Sequence, residues 1–145
     1  MRTLRVRLHR PPVLTVRRTN VTKDRLVYLI AAARPQRYRY GRSRVVYVGT
    51  TRTGLGRIAA SAAHRAGAVL KLQGVREFDV VIVTCQGRPG VQTWRKLERA
   101  LILCFRGRYG DVPALNKQGE RIRKRDEFCF FRQERLEQLL QNFEP

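Results

Sequence analysis

Two short apolar runs, each built around a tyrosine, constrain the fold of this chain more than any other feature. The first is Leu26-Val27-Tyr28 and the second is Val45-Val46-Tyr47-Val48-Gly49. Apolar and β-branched residues beside a tyrosine are typical of buried strands, and the Thr and Gly residues that follow predict a turn and a helix start. If the two strands pair as a hairpin, we expect both phenols and Arg57 to lie close together on one face.

The composition predicts one compact domain with an anionic partner. The chain has 145 residues, 43% of them hydrophobic, which is enough for one core over 1–145. Its formal net charge is +20, and only five of its 31 basic side chains are lysines. Arginine binds phosphate oxygens bidentately and stacks on bases, so the charge favours nucleic acid as the partner. The alternative is a merely solvated cationic surface.

Several classes of protein are disfavoured. No apolar run approaches the length of a membrane span, and Gly54-Leu55-Gly56 is too short for a nucleotide-binding loop, so neither a membrane nor a nucleotide cofactor is expected. The three cysteines are far apart and form no CxxC pair, so neither a zinc site nor a disulfide framework is expected. Free thiols favour a reducing, cytoplasmic or nucleoid location. The absence of acidic residues before Asp24 also leaves mitochondrial targeting open.

The periodicity along the chain predicts an α+β fold. We expect N-terminal strands at 3–8 and 13–16, which either present arginines to phosphates or form a charged, soluble sheet edge. Further strands are expected at 26–32, 45–48 and 78–85, and helices at 55–66, 93–106 and 132–143. The segment 34–44 contains Pro and Gly and is predicted to be a loop.

That segment is the first candidate for contact with a substrate. It carries five arginines and two tyrosines without an acidic residue, a pattern suited to phosphates and unstacked bases. A solvated hairpin tip is the alternative. The candidate contacts within it are Arg37, Tyr38, Arg39, Tyr40, Arg42 and Arg44.

Two predicted helices carry further candidates. Arg57 lies in the first turn of its helix, where a cation opposes the helix dipole, so a functional role is favoured. His64, later in the same helix, is either a phosphate contact or an ordinary surface residue. Glu98 lies four residues after Trp94 and three before Leu101, close to an apolar seam. A carboxylate there is paired, binds a metal ion or lines a cleft; the alternative is an exposed Glu paired with Arg95 or Lys96.

The order of these features resembles the GIY-YIG nuclease superfamily. Val27-Tyr28 matches the end of its first motif and Tyr47-Val48-Gly49 its second, while Arg57, Glu98 and Asn116 fall where the family has an active-site Arg, a metal-binding Glu and an Asn. Two features depart from the family. Leu26 stands where the family has its first Gly, and the segment between the tyrosines is longer than usual.

The resemblance implies a small, mostly antiparallel three-stranded central sheet flanked by helices. The catalytic core would span 25–117. The extensions would be 1–24, containing the N-terminal strand or hairpin, and 118–145, containing a C-terminal helix.

The resemblance also implies a metal-dependent DNA endonuclease. Glu98 would hold one divalent cation, Mg²⁺ or alternatively Mn²⁺. Arg57 would bind the scissile phosphate, and Tyr28 and Tyr47 would position or deprotonate the attacking water. Because a free phenol has a pKa of about 10, deprotonation requires nearby positive charge. Asn116 would help to hold the site together or orient Glu98, and the remaining substrate contacts would be Gly49, Arg52 and His64.

Two other functions remain open at this point. One is a non-catalytic, strongly basic nucleic-acid-binding protein of the ribosome or nucleoid. The other is a nuclease module that binds DNA but has lost cleavage. Ordinary cross-strand packing is the alternative role of each tyrosine taken alone, and the sequence leaves the oligomeric state and the DNA form, double-stranded or branched, open.

Overall fold

The computed structural model describes residues 3–17, 21 and 23–145. Three antiparallel strands form the central sheet in the order β2-β1-β3, where β1 is Leu26–Tyr38, β2 is Gly41–Thr51 and β3 is Phe78–Val83. The helices in chain order are α1 Leu55–Leu70, α2 Thr93–Tyr109, α3 Glu127–Phe130 and α4 Gln133–Gln141, with a 3-10 helix at Lys117–Arg121. The predicted α+β fold with a three-stranded antiparallel sheet and a C-terminal helix is therefore confirmed.

The sheet separates two apolar layers because side chains alternate along each strand. Tyr28 and Ile30 face α1, where they join Ile58 and Val69 in one core. Their neighbours on β1 face the other way and pack against α2 and α4 in a second, larger core. Helix α1 therefore covers the face that carries the tyrosine pair.

The predicted loop at 34–44 is instead a continuation of the hairpin, so this prediction is wrong. Tyr38 pairs with Gly41, which leaves only Arg39 and Tyr40 as the turn. The register shifts between Ala31 and Gln36, and this bulge accommodates the proline that suggested a loop.

Helix α1 also differs from the prediction. It continues beyond the predicted end at residue 66, through Gly67 to Leu70, and its N-cap is Gly54. Gly54 has a φ of 77°, a backbone conformation that glycine adopts without steric cost.

The N-terminal strands predicted at 3–8 and 13–16 are not formed in the described residues 3–17. Leu4 and Val6 are 91% and 95% exposed, and Val13 is fully exposed. An alternating pattern makes a strand only where a sheet edge pairs with it, and this segment has no such partner within the described chain. Residues 1, 2, 18–20 and 22 of the predicted extension lie outside the described residues.

Asn116 acts as a clip on the outer edge of β2. Its side-chain Nδ2 donates to the Val48 carbonyl and its Oδ1 accepts from the Val48 amide, both at 2.8 Å. The Leu115 amide also donates to the Val46 carbonyl. The segment around Asn116 thus satisfies the backbone of an edge strand beside Tyr47 and Gly49.

We predict that Asn116→Ala lowers the free energy of unfolding by about 1–3 kcal/mol, because the buried Val48 amide and carbonyl both lose their partner. Urea denaturation measures the change. Asn142→Ala is the matched control, since Asn142 is exposed and donates only to carbonyls of its own helix. A loss no larger than that of the control would show that the clip is dispensable.

Candidate active site

The two tyrosines singled out from the sequence lie together over Gly49. Tyr28 and Gly49 are directly opposite each other across the hairpin, and the Tyr28 and Tyr47 ring centroids are 5.9 Å apart with the planes tilted by 46°. A Cβ atom on Gly49 would lie 2.6 Å from the Tyr47 ring and 2.8 Å from the Tyr28 hydroxyl. The glycine is therefore required by the close approach of both rings.

One side of α1 closes over this pair. The Ser61 hydroxyl lies 2.6 Å from the Tyr28 hydroxyl, and the Arg65 guanidinium stacks on the Tyr47 ring at 3.8 Å from its centroid. The Arg65 Nε is buried and has no hydrogen-bond partner. A buried guanidinium nitrogen without an acceptor is costly, which makes Arg65 a candidate for contact with an anionic ligand.

Arg57 lies on the same side of α1 as Ser61 and Arg65, because residues four apart in a helix lie on one face. It is exposed, and it forms no ion pair within the described part of the chain. His64 is also exposed and lies seven residues after Arg57, on nearly the same side. Arg57 and His64 are therefore exposed side chains on the side of α1 that carries Ser61 and Arg65.

Glu98 reaches the same end of the sheet from α2. Its carboxyl group lies near the side chain of Thr50, which follows Gly49 on β2. Two neighbouring cations of α2 have other partners, since Lys96 pairs with Asp126 and Arg99 pairs with Glu127, whereas the exposed Arg95 lies near enough for its charge to act on Glu98. Glu98 itself has no ion-pair partner among the residues described. The alternative of an exposed Glu paired with its helix neighbours is therefore not what the structure contains.

Burial raises the pKa of both acidic groups here. Desolvation raises the pKa of the Glu98 carboxyl, and the Thr50 side chain and the charges of Arg95 and Arg99 only partly oppose it. Desolvation, followed by the neighbouring Tyr28, raises the pKa of Tyr47 to about 12, with Arg65 acting in the opposite direction. The Tyr47 phenol is thus protonated at neutral pH, and it suits positioning of water better than proton abstraction.

The donor set around Glu98 fits one hard divalent cation. A single half-buried carboxylate without a cationic partner suits Mg²⁺, which keeps most of its water ligands and binds few protein oxygens. No group of three or more His, Cys, Asp or Glu side chains suited to a metal ion occurs in the described residues. A closed, fully protein-ligated centre is therefore not present there, and Glu98 is the candidate metal ligand.

Two predicted substrate contacts on the hairpin serve the fold instead. Tyr38 points to the α2 side, packs edge-on against Phe105 at 4.9 Å between ring centroids, and donates to the Val45 carbonyl. The prediction that Tyr38 contacts DNA is therefore wrong, because strand alternation directs its ring into the core. Arg44 donates to the Ala32 carbonyl at 2.8 Å and pairs with Asp79 at 3.5 Å, so it closes the bulge in β1.

The other predicted contacts lie at the surface, except Gly49. Arg39 stacks on Tyr40 at the hairpin turn, with the guanidinium 5.3 Å from the ring centroid. Tyr40 is 65% exposed. Exposed side chains also include Arg37, Arg42 and Arg52. Gly49 is buried beneath the tyrosine rings, so it shapes the site rather than contacting a substrate.

Thr50, Ser61 and Arg65 also lie at this site, and none of them was predicted from the sequence. The spacing along the sequence could have identified two of them, because Ser61 and Arg65 follow Arg57 by four and eight residues and so lie on the same face of a helix. Thr50 follows the second tyrosine motif directly, but only the packing of α2 on β2 reveals that it faces Glu98.

We predict that Glu98→Gln stabilises the metal-free protein at neutral pH. Burial raises the pKa of the Glu98 carboxyl in the folded protein above its ordinary value of 4.5. The free energy of unfolding of wild type therefore falls as the pH rises from 4.5 to the folded-state pKa. The glutamine side chain does not ionise, so the variant does not lose this stability. Its thermal midpoint in EDTA should exceed that of wild type at pH 7, and the difference should vanish as the pH falls below about 4.5.

Glu77→Gln, which changes an exposed carboxylate, is the control and should show no such pH-dependent gain. A Glu98→Gln protein that is less stable than wild type at neutral pH would mean that nearby cations hold the carboxylate.

Comparison of the chain with models of protein families, with curated proteins and with solved structures gives no match. None of the helices in the described residues has the length and apolar character needed to cross a membrane. The geometry at the tyrosine pair therefore carries the functional conclusion.

Proposed function

We propose that this protein is a metal-dependent endonuclease that hydrolyses phosphodiester bonds in DNA, with a site of the GIY-YIG type. The single observation that carries the proposal is the convergence of the tyrosine pair, Arg65 and Glu98 at one end of a small sheet. These residues come from β1, β2, α1 and α2, and the charge of Glu98 is close enough to raise the pKa of Tyr47. The net charge of +20 supports a polyanionic substrate.

The chain's own residues divide the work of phosphodiester hydrolysis. The Arg57 and Arg65 guanidinium groups bind phosphate oxygens and stabilise the negative charge that develops on them. The protonated Tyr47 phenol and the Tyr28 hydroxyl orient the attacking water. Ser61 fixes the Tyr28 hydroxyl through their 2.6 Å contact. A divalent cation held by Glu98 would supply Lewis-acid stabilisation at the phosphoryl group when bound.

Asn116 has a positioning role in this proposal. It bonds the backbone of Val48, which lies between Tyr47 and Gly49, and it touches no reacting group. The clip therefore holds β2 in the register that brings Gly49 beneath the two rings. This role is closer to holding the site together than to direct participation in the reaction.

A second candidate is a nucleic-acid-binding protein without cleavage. One observation favours it: desolvation raises the pKa of both Glu98 and Tyr47, and so favours their neutral forms in the metal-free protein. A protonated carboxyl binds a cation poorly. The two candidates differ in whether Glu98 binds a metal ion.

We predict that supercoiled plasmid is nicked or linearised in Mg²⁺ or Mn²⁺, and that Glu98→Gln abolishes cleavage while DNA binding persists. Arg57→Gln and Arg65→Gln should each reduce the single-turnover rate by about 10²–10³-fold, the usual cost of losing one charge-stabilising donor. Glu77→Gln and Arg135→Gln are matched controls with exposed side chains.

Direct binding of Mn²⁺, followed by electron paramagnetic resonance with a non-cleavable duplex, provides a readout apart from activity. Glu98→Gln should weaken it. Tight DNA binding without cleavage in any divalent metal ion would contradict the nuclease proposal and favour the binding protein. Unchanged cleavage by Glu98→Gln would remove Glu98 from the site.

A further inference from the structure

A pocket on the hairpin lies apart from the tyrosine pair and is lined by three arginines. Its volume is about 270 Å³, and its walls are Arg34, Pro35, Gln36, Arg37, Arg42 and Gln73. Within the described residues no acidic side chain pairs with any of the three arginines. The pocket therefore concentrates positive charge without an internal counter-ion.

Two of these arginines oppose each other directly across the hairpin. Arg37 on β1 is the cross-strand partner of Arg42 on β2, and both are exposed. Like charges at directly opposite positions destabilise a sheet. The fold therefore tolerates a repulsion at this position that a bound anion between the two guanidinium groups would remove.

The third arginine is held in place by a defined backbone arrangement. Gly74 has a φ of 73°, and a Cβ on it would lie 2.6 Å from the Arg34 side chain. Gln36 Nε2 donates to the Arg34 carbonyl at 3.1 Å and to the Gln73 carbonyl at 3.3 Å. These contacts fasten the hairpin to the turn after α1, so the walls of the pocket are fixed relative to that helix.

Helix α1 connects this pocket to the candidate active site. Its successive contacts with the sheet are Ser61 with Tyr28 and Arg65 with Tyr47, and the turn that follows places Gln73 against Gln36. Strand β2 gives the distance between the two sites, because Arg42 lies five residues before Tyr47 and each antiparallel strand residue advances about 3.4 Å, about 17 Å in all. A DNA strand that runs along β2 advances about 3.4 Å per nucleotide, so this separation corresponds to about five nucleotides.

We propose that the pocket formed by Arg34, Arg37 and Arg42 binds a backbone phosphate of the nucleic-acid strand, about five nucleotides from the phosphate at the tyrosine pair. The choice of nucleic acid as the source of the phosphate rests on the proposed function. The guanidinium groups of the pocket match phosphate oxygens, and contacts with phosphate carry no sequence information. The pocket therefore fixes the position of the strand on the protein rather than reading its sequence.

The test measures binding in EDTA, so it does not depend on cleavage. The dissociation constant of a 20-base-pair duplex is determined across a range of NaCl concentrations for wild type, for the Arg37→Gln/Arg42→Gln protein, and for Arg132→Gln/Arg135→Gln. The control pair removes the same charge from exposed positions at and beside α4, which packs on the opposite face of the sheet.

The Arg37→Gln/Arg42→Gln protein should bind the duplex at least about tenfold more weakly at low salt. The slope of log association constant against log salt concentration should also be smaller in magnitude by about 0.9, the value expected for the loss of one phosphate contact. The control pair should change both quantities much less. Equal losses in the two double variants would overturn the proposal, since they would reflect net charge alone. The Arg37→Gln/Arg42→Gln protein should melt no lower than wild type, because its like-charge pair is gone.

A second set of duplexes locates the contact. Each carries one uncharged methylphosphonate in place of a phosphate, and the position is moved along the strand. Wild type should lose affinity at a position about five nucleotides from the strongest contact, and the Arg37→Gln/Arg42→Gln protein should be insensitive at that position only. Equal sensitivity of the two proteins there would overturn the proposal.

Inorganic phosphate distinguishes the two sources of the anion. A pocket that binds free phosphate through Arg37 and Arg42, while the double variant retains full affinity for DNA, would overturn the backbone contact. If DNA binding follows the expected pattern but plasmid is never cut, the nuclease proposal fails and the phosphate pocket stands.

Discussion

The close approach of Gly49 to Tyr28 and Tyr47 is the constraint on which the remainder of the site depends. Only a residue without a Cβ allows both rings to lie over that position on β2. The rings then determine which α1 residues fit above them, namely Ser61 against Tyr28 and the flat Arg65 guanidinium on Tyr47. Asn116 holds the same strand from its outer edge, so the arrangement is fixed from both sides.

The distribution of acidic groups explains how so basic a chain folds and still retains free cationic groups. Asp126, Glu127 and Glu144 pair with cations of α2 on the side of the sheet away from α1. On the α1 side, Arg57, Arg65 and the pocket arginines Arg34, Arg37 and Arg42 have no acidic partner among the residues described. These unpaired guanidinium groups favour an anionic ligand on the face that carries the tyrosine pair.

Much of the fold was predictable from local patterns, and the misses have a common cause. The strands around Tyr28 and Tyr47 and the long helix carrying Glu98 follow from periodicity and length. The loop prediction at 34–44 failed because Pro35 lies in a bulge, and the N-terminal strand prediction failed because alternation alone supplies no partner edge. Likewise, no local signal shows that Tyr38 faces the core or that Thr50 faces Glu98, because both depend on packing between distant elements.

The central claim is that a divalent cation and DNA meet at the Tyr28–Tyr47 end of the sheet. Paramagnetic broadening of the tyrosine ring signals by Mn²⁺, recorded by NMR with a non-cleavable duplex, tests it most directly. The account predicts strong broadening of Tyr28 and Tyr47, and little at Tyr38 and Tyr109, which pack together on the opposite face. Broadening centred on Tyr38 and Tyr109, or equal at all four rings, would contradict it.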